Sequence, residues 1–256
     1  MKQLLKKAFM AIAPRGILLT STIDGVKIQG YNRAGFGGRG VFLKGIDYEP
    51  ELKHLQKFIG KNSVFIDVGA NAGVYSMVAA KIVGNNGTVL SVEPFPEMST
   101  RLVKNAQLNN FTNVRVRTFG ASDKTEVKTF WLNGNKPNSF SFSIKNGDAK
   151  SLSFLTVSLD ELFKWEKLDR LDYIKIDAEG EEDKVLKGAE KIIEKYSPII
   201  QAEITQRLPK SILKEYQVFR IPSSDNAVYI PVNNPKIQIA INLGWEILNT
   251  PEAVLA

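Results

Sequence analysis

The segment Ser63–Tyr75, with the sequence SVFIDVGANAGVY, constrains the fold of this chain more than any other segment. Its first half, Val64–Val68, is mostly apolar and predicts a buried strand, and the apolar residues after Gly73 recur at helical spacing. Glycine allows backbone conformations that other residues avoid, and Asn71, between two glycines, is among the few residue types that adopt the left-handed conformation readily. The segment therefore predicts a strand, a tight loop and a helix whose first N–H groups can hold a small charged ligand.

The residue pattern of this loop separates the possible ligands. From Gly69 the chain reads GANAGV, so Asn71 and Val74 stand where the dinucleotide fingerprint G-x-G-x-x-G requires glycine. A P-loop is absent as well, because no Gly-Lys-Ser or Gly-Lys-Thr follows. These differences argue against a pyrophosphate cradle of either kind.

Acidic residues close two successive predicted strands. Asp67 lies at the end of the first, and Glu93 directly follows the next apolar segment, Thr88–Val92. An acid in the second position can accept hydrogen bonds from both hydroxyl groups of a ribose. A glycine turn, a ribose-binding acid and the absence of a pyrophosphate cradle together indicate S-adenosylmethionine as the cofactor.

Composition limits the class of protein. The 256 residues are enough for one large α/β domain with a complete core. The absence of cysteine excludes a disulfide framework and a thiolate metal site, and it fits a cytoplasmic setting. The net charge of +7 is compatible with an anionic substrate, a membrane surface or nucleic acid, but the lysines are scattered, which favours an ordinary solvated basic surface.

The first residues of the chain form an amphipathic pattern. Apolar residues recur at helical spacing: Leu4, Leu5, Ala8, Phe9 and Ile12. Pro14 interrupts the pattern before it reaches the length of a signal-peptide core, so we do not expect export, and no apolar run is long enough to cross a membrane. The pattern predicts a helix that either docks on the core or makes peripheral contact with a membrane surface.

The third predicted strand, Val114–Phe119, ends in small and polar residues. Ligands of open α/β sheets bind at the carboxyl ends of strands, so Ser122 and Asp123 could contact the adenine, although a simple turn explains them equally well. Two further predicted strands, Val127–Leu132 and Leu152–Val157, flank a polar loop. We expect this insertion to form a hairpin beside the ligand.

A second acidic segment has the sequence LDYIKIDAEGEE and begins at Leu171. Lys175 falls in a strand that should be central and buried, so it requires a carboxylate partner, and Asp177 is the nearest candidate. Asp177 and Glu179 lie at the strand end, and Glu203 occupies the same place on the next predicted strand. The following acids, Glu181 and Glu182, are better explained as residues that favour the N-terminus of a helix.

Five motifs occur in an order that resembles the FkbM family of S-adenosylmethionine-dependent methyltransferases. They are DVGANAGVY, VEPFPE, GASD, TVSLDEL and IKIDAEGEEDKVLKGAEKII with a following QAEI. The resemblance covers residues 35–232 and implies a class I, Rossmann-like methyltransferase fold. It implies a mostly parallel seven-stranded sheet with a C-terminal antiparallel hairpin, and methylation of hydroxyl groups on sugars, glycans or natural products.

The resemblance also assigns roles to residues of this chain. The cofactor-binding residues that it implies are Asp67, Gly69, Ala70, Asn71, Gly73, Glu93, Pro94, Ser122 and Asp123. Among these, Glu93 would bind the ribose, whereas Ser122 and Asp123 would lie near the adenine. Asp177 would lie beside the reacting centre. Ala72 and Ala178 stand where the family usually has bulkier aliphatic residues.

These assignments lead to a mechanistic hypothesis. A hydroxyl is a poor nucleophile until its proton is being removed, and the candidate bases are Asp177 first, then Glu179, then Glu203, with Lys175 positioning the carboxylate. A divalent metal bound by these acids is a less favoured alternative, and our prediction is a site without metal.

Two alternative functions differ in class. A nucleic-acid methyltransferase fits the positive charge, but Ala-Glu-Gly follows Asp177 instead of the Pro-Pro-aromatic signature of amino-group methylation. A non-catalytic cofactor-binding module on the same fold would be expected to lose the acids that this chain keeps.

The sequence also suggests three segments. Residues 1–60 are predicted to form an N-terminal extension or cover, residues 61–232 the cofactor-binding domain, and residues 233–256 a C-terminal tail. The loops that would select the acceptor, residues 30–45 and 133–150, carry no pattern that identifies it.

Overall fold

A computed structural model describes residues 2–14, 16–33, 37–132, 140–141, 151–203 and 215–248. Its strands, in chain order, are β1 Leu18–Ile23, β2 Val26–Tyr31, β3 Val64–Val68, β4 Thr88–Val92, β5 Val114–Arg117, β6 Gly120–Ser122, β7 Glu126–Leu132, β8 Phe140–Ser141, β9 Ser151–Ser158, β10 Tyr173–Ile176, β11 Ile199–Glu203, β12 Tyr216–Arg220, β13 Asn226–Pro231 and β14 Glu246–Leu248. The α-helices are α1 Lys2–Ile12, α2 Arg39–Lys44, α3 Leu55–Phe58, α4 Val74–Val83, α5 Pro96–Leu108, α6 Leu159–Trp165, α7 Glu182–Lys187, α8 Glu190–Tyr196 and α9 Ile237–Asn242, and two 3₁₀ turns span Gly45–Tyr48 and Pro50–Lys53.

The main sheet has the strand order β14-β12-β13-β11-β10-β3-β4-β5. Its central pairs, from β11 through β10, β3 and β4 to β5, are parallel, whereas β12, β13 and β14 join antiparallel. The chain builds outward from β3 in one direction through β4 and β5, and in the other through β10 and β11. The strand order therefore reverses between β3 and β10, which is where open α/β sheets bind ligands.

This architecture confirms the predicted α/β fold with a mostly parallel sheet and a C-terminal antiparallel hairpin. The described sheet has one strand more than the seven that were expected, because Val218 of β12 pairs with Leu248 of β14. The predicted tail from residue 233 thus contributes α9 and an edge strand. A three-residue strand is too short to show a period of two, which is why the sequence did not reveal it.

Alternation along β3 builds a core on both faces of the sheet. Phe65 belongs to one apolar cluster, whereas Val64 and Ile66 belong to the other. The helix that follows, α4, is buried on nearly all sides because it packs between β4 and the N-terminal strand β2. The strand and helix that the glycine loop connects are therefore both held rigidly, and so is the loop.

The N-terminal segment docks on the domain through side-chain amides. Strands β1 and β2 form a hairpin that turns at Asp24 and Gly25, both with positive φ. Asn105 of α5 accepts a hydrogen bond from the backbone N–H of Gln29 and donates one to its carbonyl, at 2.9 Å each. The side chain thus pairs with β2 as a neighbouring strand would, which fixes the hairpin beside the glycine loop.

A buried hydrogen-bond chain ties this segment to the sheet. Tyr173 donates to Gln201, Gln201 donates to the hydroxyl of Tyr75, and Tyr75 donates to the carboxylate of Glu51, at distances of 2.8, 2.9 and 3.1 Å. The same carboxylate accepts from Asn226 at 2.9 Å. One acid of the N-terminal segment therefore satisfies polar groups from the glycine-loop helix and from β13.

The insertion after β5 forms a second sheet with the order β6-β9-β7-β8. The two strands predicted there are confirmed as β7 and β9, which pair antiparallel. The predicted loop 133–150 lies outside the described residues, apart from the two residues of β8. Within the part of the chain that the structure describes, no helix combines the length and apolarity that crossing a membrane requires.

Candidate active site

A pocket lies at the carboxyl ends of β3, β4 and β10, where the strand order reverses. Its wall contains glycine-loop residues, strand-end acids and aromatic side chains: Val68, Gly69, Asn71, Val92, Glu93, Pro94, Phe95, Met98, Gly120, Ala121, Phe130, Phe154, Asp177, Ala178, Glu179 and Glu181. The sequence predicted Gly69, Asn71, Glu93, Pro94, Asp177 and Glu179 as site residues, and the structure brings these six together.

Gly69 forms the contact between the ends of two strands. Its φ is +69°, and its N–H donates to the carbonyl of Val92 at 2.9 Å. A Cβ on this residue would lie 1.8 Å from the carbonyl oxygen of Asp177. Only glycine permits this approach, so the end of β3 and the acidic segment after β10 share one wall of the pocket.

The rest of the loop turns into α4 through two further residues with positive φ. Asn71 has a φ of +50°, as its position between glycines predicted, and Gly73 has a φ of +86° and caps α4. Asn71 lines the pocket, whereas Gly73 and Ala70 lie outside its wall. A Cβ on Gly73 would lie 2.7 Å from Leu102 of α5, so this glycine serves the packing of the loop on that helix.

Glu93 is a buried carboxylate that faces the pocket. One of its oxygens accepts from the N–H of Asn71 at 2.7 Å and the other from the N–H of Phe95 at 2.8 Å. Burial raises the pKa of Glu93 to about 7, against the opposing effect of these two backbone hydrogen bonds. Each oxygen keeps a lone pair that can accept a hydrogen bond from a ligand hydroxyl.

Asp67, predicted as a cofactor residue, lies behind the pocket wall instead of in it. It is fully buried, it accepts from Ser76 at 2.6 Å, and its Oδ1 lies 3.8 Å from Nζ of Lys175. Burial raises the pKa of Asp67, whereas Lys175 and the Ser76 hydrogen bond lower it. Its side chain faces α4 because neighbouring β3 residues point to opposite faces of the sheet, and Asp67 thus acts on the site through Lys175.

Lys175 is the buried cation of the site, and its predicted partner is confirmed. Its Nζ donates to Asp177 at 3.3 Å and lies 5.1 Å from the ring centroid of Tyr75. Burial lowers the pKa of Lys175, but the carboxylates of Asp177 and Asp67 outweigh burial and leave the pKa above its usual value. The Lys175 cation therefore holds one carboxylate oxygen of Asp177. The exposed fraction of the Asp177 side chain is 52%.

Glu179 lines the pocket two residues beyond Asp177. Its φ of +51° is unusual for a residue with a side chain and marks local backbone strain. Burial raises the pKa of Glu179 to about 7, and the negative charges of Asp177 and Glu203 add to the effect. Glu203, the third candidate base, is not part of the described pocket wall, and burial followed by the charge of Asp177 raises its pKa.

The next two acids have different roles. Glu182 is buried and accepts hydrogen bonds from the N–H groups of Ala178 and Gly180, at 2.8 and 3.1 Å, so it shapes the turn that holds Glu179. Glu181 lines the pocket and pairs with Lys184 at 2.8 Å and with Lys128 at 3.5 Å. The expectation that both acids only favour the helix N-terminus overlooked these contacts.

Ser122 and Asp123, predicted near the adenine, do not belong to the pocket wall. Ser122 accepts from Lys128 at 2.5 Å, and Asp123 lies 3.5 Å from Nζ of Lys187. Gly120 and Ala121 line the pocket instead. The reason is that this segment continues as strand β6, paired with β9, so the polar residues extend past the pocket.

Two aromatic residues of the insertion were missed by the sequence analysis. Phe130 of β7 and Phe154 of β9 line the pocket, and their ring centroids lie 5.0 Å apart with the planes tilted by 59°. They are diagonal neighbours, since Phe130 pairs with Leu152. Both stand in segments predicted as strands, so matching the aromatic positions across the hairpin could have found them.

Glu49 of the N-terminal segment also acts on the acidic wall. Burial raises the pKa of Glu49 to about 7, Lys175 lowers it, and Glu51 and Asp177 raise it further. Such interactions require the carboxylate to lie near Lys175. No local pattern around Glu49 indicated this, because the contact depends on how the N-terminal segment docks. Among the described residues, no group of three or more histidine and acidic side chains is arranged to hold a metal ion.

The chain is similar in sequence to two methyltransferases. The chain is 25% identical over 154 residues to a hexuronic acid methyltransferase, AglP, of Haloferax volcanii, with 60% of this chain and 61% of that protein covered. It is 29% identical over 89 residues to a protein-L-isoaspartate O-methyltransferase of Methanococcus aeolicus, with 32% of this chain and 41% of that protein covered. The chain thus spans less than two thirds of the length of either curated relative.

A solved structure and a family model extend the comparison. A crystal structure of an FkbM methyltransferase from Methylobacillus flagellatus KT is 17% identical, covers 75% of this chain and 52% of that chain, and has a TM-score of 0.48. The model of the methyltransferase FkbM domain matches residues 67–221, more than half of the chain. The matched range begins at Asp67, runs through the glycine loop and the acidic segment, and ends just beyond β12. The chain therefore belongs to the FkbM family of S-adenosylmethionine-dependent methyltransferases.

Proposed function

We propose that the protein transfers a methyl group from S-adenosylmethionine to a hydroxyl oxygen of a sugar, a glycan or a natural product. The observation that supports this proposal most directly is one shared pocket. Gly69 and Glu93 line its cofactor side, and Asp177 and Glu179 line its acidic side. A cofactor held by the first pair would present its reactive end to the second.

The residues of the cofactor side fit an adenosine. Glu93 has free lone pairs for two ribose hydroxyls, and the absent side chain of Gly69 leaves room for the ligand beside the backbone. Phe130 and Phe154 supply an apolar wall against which a base can pack. When bound, S-adenosylmethionine supplies an electrophilic methyl group on a positively charged sulfur.

The residues of the acidic side fit the removal of a proton from a hydroxyl. We assign the general base to Asp177, because its side chain is half exposed to the pocket while Lys175 fixes its orientation at 3.3 Å. A positioned carboxylate base contributes about 10²- to 10⁴-fold to such a reaction. Glu179 stands second, because it lines the same wall of the pocket.

A sugar is the acceptor class that we favour. The match to a hexuronic acid methyltransferase supports this choice. Carboxylates such as Asp177 and Glu179 are also suited to accept hydrogen bonds from the several hydroxyl groups of a sugar ring. The positive net charge of the chain is compatible with an acidic sugar.

Mass spectrometry can test the acceptor directly. The purified protein is incubated with methyl-deuterated S-adenosylmethionine and glycan fractions, and the expected product carries one labelled methyl group as an ether on a sugar ring. The Asp177→Asn variant, which keeps the shape of the side chain, is the matched control and should give no label. Label on a base or phosphate of added RNA, or on no acceptor although the cofactor binds, would contradict the proposal.

A further inference from the structure

Helix α1 turns several of its apolar residues away from the protein. The exposed fractions of Leu4, Leu5 and Ile12 are 77%, 64% and 82%. At helical spacing these residues lie on one side, together with Ala8 and Ala11. A surface helix of a globular protein normally buries its apolar stripe against the core, whereas this stripe of α1 is left exposed.

The side of α1 that docks on the protein carries Lys6, Phe9 and Met10. Nζ of Lys6 donates to the carbonyl of Phe42 in α2 at 2.7 Å and lies 5.0 Å from the centroid of its ring. The ring of Phe9 lies 6.0 Å from that of Phe42, and Met10 is buried. These contacts fix the rotation of the helix, so the outward direction of the apolar stripe is set by the fold.

The charge around this stripe has one sign. The first acidic residue of the chain is Asp24, so no acid accompanies the lysines of α1. The neighbouring helix α2 also lacks acids, and its Arg39 and Lys44 are exposed. A second copy of the chain would bring these like charges together, whereas an anionic lipid surface would pair with them and accept the apolar side chains.

We propose that α1 binds the surface of a membrane that contains anionic lipids, with Leu4, Leu5 and Ile12 inserted at the headgroup boundary. This binding is independent of the proposed methyl acceptor, because no residue of α1 lines the described pocket. The helix rests on α2, and the chain continues from α2 directly to Glu49 beside the acidic wall. Docking would therefore hold the acidic side of the pocket close to molecules anchored in the same membrane.

Vesicle co-sedimentation tests the proposal. The full chain should sediment with vesicles of phosphatidylcholine and phosphatidylserine, with about tenfold less binding to phosphatidylcholine alone, and added salt should release it. The double variant Leu5→Asp, Ile12→Asp should lose at least about tenfold in binding because both charges fall within the stripe. The single variant Lys7→Glu should lose less.

A matched control separates the stripe from exposed apolar surface in general. Val127, whose exposed fraction is 70%, lies on the insertion hairpin far along the chain, and Val127→Asp should bind vesicles as the wild-type chain does. All variants should keep the wild-type unfolding midpoint and cofactor affinity. Equal vesicle binding by the double variant, or equal binding to neutral vesicles, would overturn the proposal. So would concentration-dependent dimerisation that the double variant abolishes, since a second copy would then cover the stripe.

Discussion

The two sides of the pocket are built in different ways. The loop and the carboxylate of the cofactor side come from one continuous stretch, from Gly69 to Phe95, and backbone N–H groups hold this carboxylate. The acidic side contains Glu179 beyond β10, and it is influenced by Lys175 within β10, by Glu203 at the end of β11 and by Glu49 from the N-terminal segment. A stretch of this kind can be recognised locally, whereas a surface assembled from distant segments becomes visible only in the fold.

Each side of the pocket has a glutamate with a raised pKa, but the two pKa values are raised for different reasons. Glu93 and Glu179 both have a pKa raised to about 7. For Glu93 burial acts against two backbone hydrogen bonds, so hydroxyl donors from a ligand would favour its ionised form. For Glu179 burial acts together with neighbouring carboxylates, so its proton uptake depends on the charge of the other acids.

The largest expected effect comes from adding a side chain at Gly69, where the two sides of the pocket are in contact. Gly69→Ala places a Cβ against the carbonyl of Asp177 and imposes a positive φ on alanine, so we expect loss of cofactor binding and of at least about 2 kcal/mol of stability. Calorimetry and chemical denaturation measure the two quantities. Gly244→Ala is the control, because its φ is +72° and no atom lies within 4 Å of the added Cβ. An equal loss in both variants would show that the close approach is not what matters.

Removal of the proposed base should affect only the acidic side. Asp177→Ala should lower turnover by about 10²- to 10⁴-fold and leave cofactor affinity within about threefold, since the Asp177 side chain pairs with Lys175 and only its backbone approaches Gly69. Discontinuous methyl-transfer assays measure turnover, and calorimetry measures cofactor affinity. The control is Asp169→Ala, at an exposed position. Turnover like that of the wild type would remove Asp177 from the mechanism.

The corresponding change on the cofactor side is Glu93→Gln. Loss of charge-assisted hydrogen bonds should weaken cofactor binding by about 10- to 100-fold. The stability of the wild type should also fall as pH rises from 4.5 to 7, because the folded state then holds a proton on Glu93 that the unfolded state has lost.

The variant should reduce this fall by about 3 kcal/mol, the free energy that corresponds to the raised pKa. Denaturation at pH 4 and pH 8 measures it. A pH dependence unchanged from the wild type would mean that Glu93 is already ionised in the folded protein at acidic pH.

Glu179 should show its role in the pH profile. Turnover of the wild type should rise with pH through about 7, because Glu179 then ionises and adds a second carboxylate that can accept a proton on the acidic side. Glu179→Gln should flatten this rise and lower turnover at pH 8 by less than about tenfold. A loss as large as that of Asp177→Ala would instead transfer the role of base to Glu179.

The smallest expected effect compares a predicted adenine neighbour, Ser122, with Phe130, which lines the pocket. Phe130→Leu should weaken cofactor binding by about three- to tenfold through lost aromatic contact. Ser122→Ala should change it by less than about twofold, since the Ser122 side chain contacts Lys128 and not the pocket. Calorimetry on both variants is sufficient. A larger loss for Ser122→Ala would support the original assignment.

Sequence reasoning recovered what local chemistry determines. The strand, the glycine loop and α4 follow from an apolar run, two glycines and helical periodicity, and the pairing of Lys175 with Asp177 follows from the cost of an unpaired buried cation. The positive φ of Asn71 was likewise predictable from its residue type.

Sequence reasoning did not foresee contacts that depend on long-range packing. Asp67 was assigned to the cofactor, but the pleat of β3 directs it to Ser76 and Lys175. Ser122 and Asp123 were expected in a loop, but pairing of β6 with β9 carries them past the pocket. The contribution of Glu49 depends on the docking of a separate segment, which no local pattern encodes.

The buried carboxylate of Glu51 sets a limit on how far this enzyme can be trimmed. A shortened chain that starts at residue 61 would keep the family's matched range, yet it would remove the acceptor of the buried Tyr75 and of the half-buried Asn226. Each stranded donor costs about 1–3 kcal/mol, a large share of the stability of a domain of this size. Minimal versions for engineering should therefore retain the two 3₁₀ turns ahead of α3, even though they fall before the recognisable motif.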